Sequence, residues 1–172
     1  IRPDIITIGK GMGNGFPISG LVSTEEITAS QPFSKPSSSS SSYGGNPLAS
    51  AAALATIQTI AEESLVENSR VVGEHLISGL RRLQHAYDFI GDVRGCGLLI
   101  GVELVKDRKT KESLDKAVTK QIFLETLKRG MVSMNYKPNF RINPPLTLTK
   151  EEADLGLQIL DETFAFSAKK FL

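Results

Sequence analysis

Between Gly9 and Gly15 the chain places four glycines in seven residues, with a lysine, Lys10, between the first two. Each glycine leaves backbone freedom that a helix would have to remove, so the stretch reads as a loop. It follows Asp4-Ile5-Ile6-Thr7-Ile8, whose β-branched, apolar side chains read as a buried strand. Phe16-Pro17 closes the loop, and Ile18 to Ser23 reads as a second short strand. Lys10 is thereby held at a strand end, where flanking glycines let the backbone approach a partner closely. Such a lysine is either an ordinary solvent-exposed side chain or an amine able to form a Schiff base with a carbonyl, which would need a lowered pKa. The loop is not a phosphate-binding P-loop, because no Gly-Lys pair is followed by Ser or Thr. Gly9-x-Gly11-x-Gly13 also has the wrong spacing for a dinucleotide fingerprint.

The rest of the chain alternates helix and strand signals. Ser23 and Glu26 have capping-box spacing and predict a short helix. Gln31 to Ser42 is poor in apolar residues, contains six consecutive serines, Ser37 to Ser42, and reads as a flexible linker. Pro47 suits the first turn of a helix over Leu48 to Ala61, where small residues from Ala49 to Ala53 permit close packing. A second helix is expected from about Leu65 to Leu83, with Leu65, Val72, Leu76, Leu80 and Leu83 on one side and Glu67, Arg70, Glu74 and Arg81 elsewhere. Leu98 to Val105 reads as a strand and Asp107 to Ser113 as a charged turn. Asp115 is placed to cap a helix ending near Gly130, itself placed for a left-handed C-terminal cap. Met131 to Met134 and Phe140 to Ile142 read as short strands. Thr149 and Glu152 form another capping box, opening a helix with Ala153, Leu157, Leu160 and Phe164 on one face.

The bulk numbers exclude several classes. The chain has 172 residues, 40% hydrophobic and 23% charged, with a formal net charge of +1. That composition is globular rather than disordered, and it carries no clustered basic footprint for nucleic acid. No apolar run approaches the roughly 20 residues that span a bilayer. The single cysteine, Cys96, permits no internal disulfide. This fits a reducing compartment, and a cytoplasmic location is the expectation. Cys96, between glycines, is expected to be packed rather than reactive, and His75 and His85 are expected at the surface. No Cys, His and carboxylate group has metal-ligand spacing. The first residues are no signal peptide, and without an initiator Met the chain reads as a piece of a longer protein.

Four segments together resemble one family. Thr7-Ile8-Gly9-Lys10-Gly11-Met12-Gly13-Asn14-Gly15-Phe16-Pro17-Ile18-Ser19-Gly20, with the lead-in Pro3-Asp4-Ile5-Ile6, is similar to the lysine segment of class III pyridoxal-phosphate-dependent aminotransferases. Ser42-Tyr43-Gly44-Gly45-Asn46-Pro47 resembles their Thr-aromatic-Gly-Gly-Asn-Pro. Asp92-Val93-Arg94-Gly95-x-Gly97-Leu98-x-x-Gly101-Val102-Glu103 resembles the start of their small domain, and Phe140-Arg141-Ile142-x-Pro144-Pro145-Leu146 their Arg-x-x-Pro-Pro-Leu. The segments occur in the family's order across essentially the whole chain.

The resemblance implies an α/β fold, that of fold type I pyridoxal-phosphate enzymes. Residues 1–70 would end the cofactor-binding large domain, and residues 71–172 would form the small carboxyl-terminal domain. It implies that Lys10 holds pyridoxal 5'-phosphate as a Schiff base and, once freed, moves a proton between substrate and cofactor. Ser42, in place of the family's threonine, and Tyr43 would bind the cofactor, Ser42 at its phosphate. Losing the threonine methyl leaves that serine's rotamer less fixed. Arg141 would take the substrate carboxylate, its planar fork matching the two oxygens. Arg94 is expected to be structural, and Met134-Asn135-Tyr136 to contribute to the substrate pocket. The implied reaction moves an amino group from a small-molecule donor to a 2-oxo acid, in a full-length homodimer with no metal, nucleic acid or membrane partner. A racemase, aminomutase or decarboxylase of the same fold, or an inactive truncated relative, shares these features. The family's cofactor-pairing aspartate, stacking aromatic and Gly/Ser phosphate loop would lie upstream of Ile1. The 172-residue chain alone is therefore expected to show little or no transaminase activity.

Overall fold

The computed structural model describes residues 2–38, 40–136 and 138–171. The chain forms two compact units, Ile1–Ser64 and Leu65–Leu172. In the first, β1 (Ile5–Ile8) and β2 (Gly20–Ser23) pair antiparallel, with Ile5 opposite Ser23 and Ile8 opposite Gly20. Between them Lys10–Gly13 forms one turn of 3-10 helix, where glycine content argued for a plain loop. Two bonds close the turn, from Met12 N to Gly9 O at 3.2 Å and from Asn14 N to Gly11 O at 3.2 Å. A single turn asks far less of glycine than a long helix does, since few backbone angles are fixed.

A short helix α1 (Glu25–Thr28) follows, capped one residue later than the sequence spacing indicated. Thr24 Oγ1 accepts from Ile27 N at 3.4 Å, while the Ser23 hydroxyl instead donates to the Asp4 carbonyl at 2.7 Å, across the ribbon. Helix α2 (Pro47–Glu62) starts at Asn46, whose Oδ1 accepts from Ala49 N at 2.9 Å. Ala49 and Ala53 are its buried residues, and the helix packs on the 3-10 turn. The strand expected to be buried is not: Ile5, Ile6 and Ile8 are 45%, 47% and 39% exposed. A two-stranded ribbon offers each strand one neighbour and no covering layer, which leaves it marginal by itself.

The second unit is built from α3 (Leu65–Ala86), β3 (Ile90–Cys96), β4 (Leu99–Leu104), α4 (Lys116–Lys128), β5 (Met134–Tyr136), β6 (Asn139–Ile142) and α5 (Lys150–Phe171). Its four strands run antiparallel in the order β3-β4-β6-β5. Alternate residues of β4, namely Ile100, Val102 and Leu104, are buried, as a half-covered strand requires. They meet Val72, Leu76 and Leu80 of α3 and Ala153, Leu157, Leu160 and Phe164 of α5 in one core. The Phe164 ring sits edge-on to Phe89 at 5.5 Å and to Tyr87 at 5.9 Å between centroids. Gly130, at φ 90°, ends α4 as expected, and Thr149 with Glu152 makes both capping-box bonds, at 2.9 and 3.2 Å.

Three details differ from the sequence reading. Strand β3 lies where Gly91, Asp92, Arg94 and Gly95 hide any alternation, and its pairing with β4 supplies the order that local propensity does not. Asp115 occupies the N-cap position of α4, yet its side chain makes no cap bond; it pairs with Lys106 at 3.0 Å. Strand β5 begins only at Met134, so Met131 to Ser133 is an irregular lead-in. Among the described residues, no helix is long and apolar enough to cross a membrane.

Candidate active site

Lys10 sits at the start of the 3-10 turn with φ 50°, in the left-handed region that side chains other than glycine's rarely adopt. The turn is fixed from two sides. Helix α2 packs on it, and Gly13 is buried where a Cβ would come within 2.6 Å of Ile18 Cγ2. The Lys10 side chain is exposed, so the described residues of its unit do not form the enclosing cleft that a desolvated amine needs.

The serine-rich segment leads into a turn before α2. Gly44 N donates to Ser41 O at 3.1 Å, and Asn46 N and Nδ2 both donate to Tyr43 O, at 3.3 and 2.9 Å. Gly45 takes φ 68°. Beside this turn lies an open cavity of about 620 Å³, lined by Ser19, Ser41, Tyr43, Gly44, Gly45 and Asn46 among others. Tyr43 is 83% exposed. Ser42 is exposed within the turn but does not line the cavity; its neighbour Ser41 does, as sequence reasoning did not anticipate. The six-serine run offered no signal to choose between neighbouring hydroxyls. Ser19 and Ser41 hydroxyls, the Gly45 N–H and the start of a 16-residue helix are the donor set that suits a phosphate.

Arg141 belongs to the second unit. It lies on β6 opposite Gly101 of β4 and Met134 of β5. It is exposed, and its Nη2 donates to Asn143 Oδ1 at 2.7 Å. The segment after it is tied down by Asn68, whose Nδ2 donates to Leu146 O at 2.7 Å and Leu148 O at 3.0 Å. Nothing in the local sequence linked Asn68 to residues 78 and 80 positions away. Arg141 and Met134 line a cavity of about 230 Å³ whose walls are mostly apolar. The side chains of Asn135 and Tyr136, expected in the substrate pocket, lie outside what is described.

Other side chains resolve simply. Arg94 pairs with Asp92 at 2.7 Å on β3. Cys96 is exposed at the end of β3, against the expectation of a packed thiol, because it precedes the hairpin turn at Gly97. His85 is exposed, while His75 is partly buried and reaches Asp154 of α5 at 2.6 Å.

Residues 1–164 match the family model described as aminotransferase class-III. The chain is 42% identical to a leucine/methionine racemase of Thermococcus litoralis over 96% of its own length and 37% of that protein. It is 41% identical to a mitochondrial alanine–glyoxylate aminotransferase 2 homologue of Arabidopsis thaliana, over 94% of itself and 34% of that protein. It superposes on an amine transaminase from an uncultivated Pseudomonas species, solved in a PLP-bound form, with TM-score 0.88 and 34% identity, covering 96% of this chain and 39% of that one. The chain thus spans little more than a third of the length of the proteins it matches.

Proposed function

The chain belongs to the class III aminotransferase family, a family of fold type I enzymes that use pyridoxal 5'-phosphate, and from that premise we propose that it carries the lysine of a transaminase site. Lys10 is its catalytic residue. The reaction moves an amino group from a small-molecule donor to a 2-oxo acid, in a protein that works as a homodimer. In this reading residues 1–70 belong to the large domain and residues 71–172 to the small one. The supporting observation is a primary amine at the end of β1, on a turn held by α2.

The residues fit the cofactor at two of its ends. An exposed amine on Lys10 suits its aldehyde, and the hydroxyls and backbone N–H groups at the start of α2 suit its phosphate. When bound, the cofactor ring supplies an electron sink for the bonds at the substrate's α carbon. Lys10 Nζ would hold the cofactor at its aldehyde carbon, and as a free amine it would carry the proton taken from the substrate's α carbon. Using one group for both tasks keeps the base within reach of that proton. Ser42, with Ser41 beside it, and Tyr43 bind the cofactor, the serine hydroxyls at its phosphate. Arg141 binds the substrate carboxylate through paired N–H donors.

A second reading, racemisation, is favoured by the 42% identity to a racemase. The same lysine serves both reactions. Product analysis of the full-length protein with an L-amino acid separates them. Amino transfer yields an oxo acid in step with consumption of a 2-oxo acid acceptor, whereas racemisation yields the D-amino acid with no acceptor present. In either case Lys10→Ala abolishes turnover. A Lys10→Ala protein that keeps normal turnover would end both readings.

A further inference from the structure

Along β6 the two faces alternate: Phe140 and Ile142 are buried on the core side and Arg141 is exposed on the other. The alternation runs one step past the strand. Asn143 precedes Pro144, and a residue before proline is held extended, so the exposed Asn143 side chain falls on the face that carries Arg141. There its Oδ1 accepts from Arg141 Nη2 at 2.7 Å. A guanidinium has donors only, so the amide turns its oxygen to it.

The segment that carries this oxygen is itself held. Asn68 of α3 donates through Nδ2 to Leu146 O at 2.7 Å and to Leu148 O at 3.0 Å, just beyond Pro144-Pro145. Beside Arg141 the sheet leaves room. Gly101 lies directly opposite on β4, and a Cβ there would meet nothing within 4 Å. The acids of this face have other cations: Asp92 pairs with Arg94 at 2.7 Å and Glu103 meets Lys111 at 3.5 Å. Among the described residues, no carboxylate pairs with Arg141, and its partner is the neutral amide of Asn143.

We propose that Asn143 is a positioning residue for substrate selection: its amide oxygen aims the Arg141 guanidinium and leaves the charge uncancelled for a carboxylate. The inference rests on the reading of Arg141 as the group that receives the substrate carboxylate, and it adds how that group is aimed and why its partner is an amide. An aspartate at position 143 would have the same reach but would form an ion pair, acting as a tethered competitor for the substrate.

The test is steady-state kinetics of the full-length protein with its cofactor bound, on whichever L-amino acid it turns over fastest. Asn143→Ala should raise KM about fivefold, the effect of one ordinary hydrogen bond. Asn143→Asp, nearly identical in shape, should raise it further, about tenfold or more. In both, kcat should change less than about twofold, and Tm should hold because the side chain is exposed. In an Arg141→Ala background, Asn143→Ala should have no further effect on KM, since the two act through one guanidinium. An unaltered KM in Asn143→Asp, a matching fall in kcat, or a further loss in the Arg141→Ala background would overturn the proposal. Arg141→Ala by itself separates the two levels. If it raises KM while the Asn143 variants do not, this inference falls and the reading of Arg141 stands. If it leaves KM unchanged, the reading of Arg141 falls and takes this inference with it. A full-length protein that turns over no L-amino acid ends the proposed function and this inference together.

Discussion

Lys10 carries the proposed chemistry on an unfavourable backbone. At φ 50° a residue with a Cβ bears a cost of about 1 kcal/mol or more, and such conformations persist where the surroundings impose them. Lys10→Gly should therefore be more stable than Lys10→Ala by about 1 kcal/mol, read from urea midpoints of the full-length variants. Equal midpoints would show that the left-handed geometry costs nothing. At Arg141, Arg141→Lys keeps the charge but loses the paired donors, so KM for a carboxylate-bearing donor should rise about tenfold with a smaller change in kcat. Tyr87 gives a pH test. Burial first, and then Asp161, whose Oδ1 accepts from the phenol at 2.5 Å, push its pKa up to about 12. The raised value means that the neutral phenol is favoured in the folded state. Its stabilisation is complete below the ordinary value of 10.0 and is lost as pH rises through about 12. Spectroscopic titration should find one tyrosine still protonated when exposed tyrosines have ionised, and Tyr87→Phe should remove that late step.

At the scale of elements, the helices were legible because their apolar spacing survives any context. Leu80 and Phe164 are both fully buried at 0% exposure, on the faces their spacing named. Caps were legible in type and less so in position: Thr149 and Glu152 close their box, whereas Ser23 yields its role to Thr24 because the ribbon needs its hydroxyl at Asp4. Strand β3 was not legible, since its residues are selected by pairing and tight turns. Of the candidate site, the glycine turn and Lys10 stood out locally, but the Ser41 position, the Asn68 tether and the cavity beside Arg141 arise only from long-range packing. In α4, Glu125 is held by Lys128 at 2.8 Å and Arg129 at 2.7 Å, which lower its carboxyl pKa, the Lys128 bond first. A lowered folded value stabilises above the ordinary 4.5, and that contribution disappears as pH falls through the lowered value. Glu125→Gln should thus lower stability to urea at pH 7, and the effect should shrink as the pH is lowered below 4.5 towards the depressed value.

The whole molecule divides by where its apolar burial lies. The second unit holds a continuous core on the inner face of its sheet, and Phe164→Ala there should cost about 3–5 kcal/mol. In the first unit the buried residues of named elements are Gly13, Ala49 and Ala53, and the β1–β2 ribbon is exposed. For the 172-residue chain expressed by itself, hydrogen exchange should find the amides of β4 and α5 protected far longer than those of β1 and β2. Equal protection would mean that the ribbon has its own source of stability. The most direct test of the central claim is borohydride reduction of the full-length protein with its cofactor bound, followed by peptide mass mapping. A single cofactor adduct on Lys10, absent in Lys10→Ala, is the predicted result; an adduct on another lysine, or none on Lys10, would contradict it.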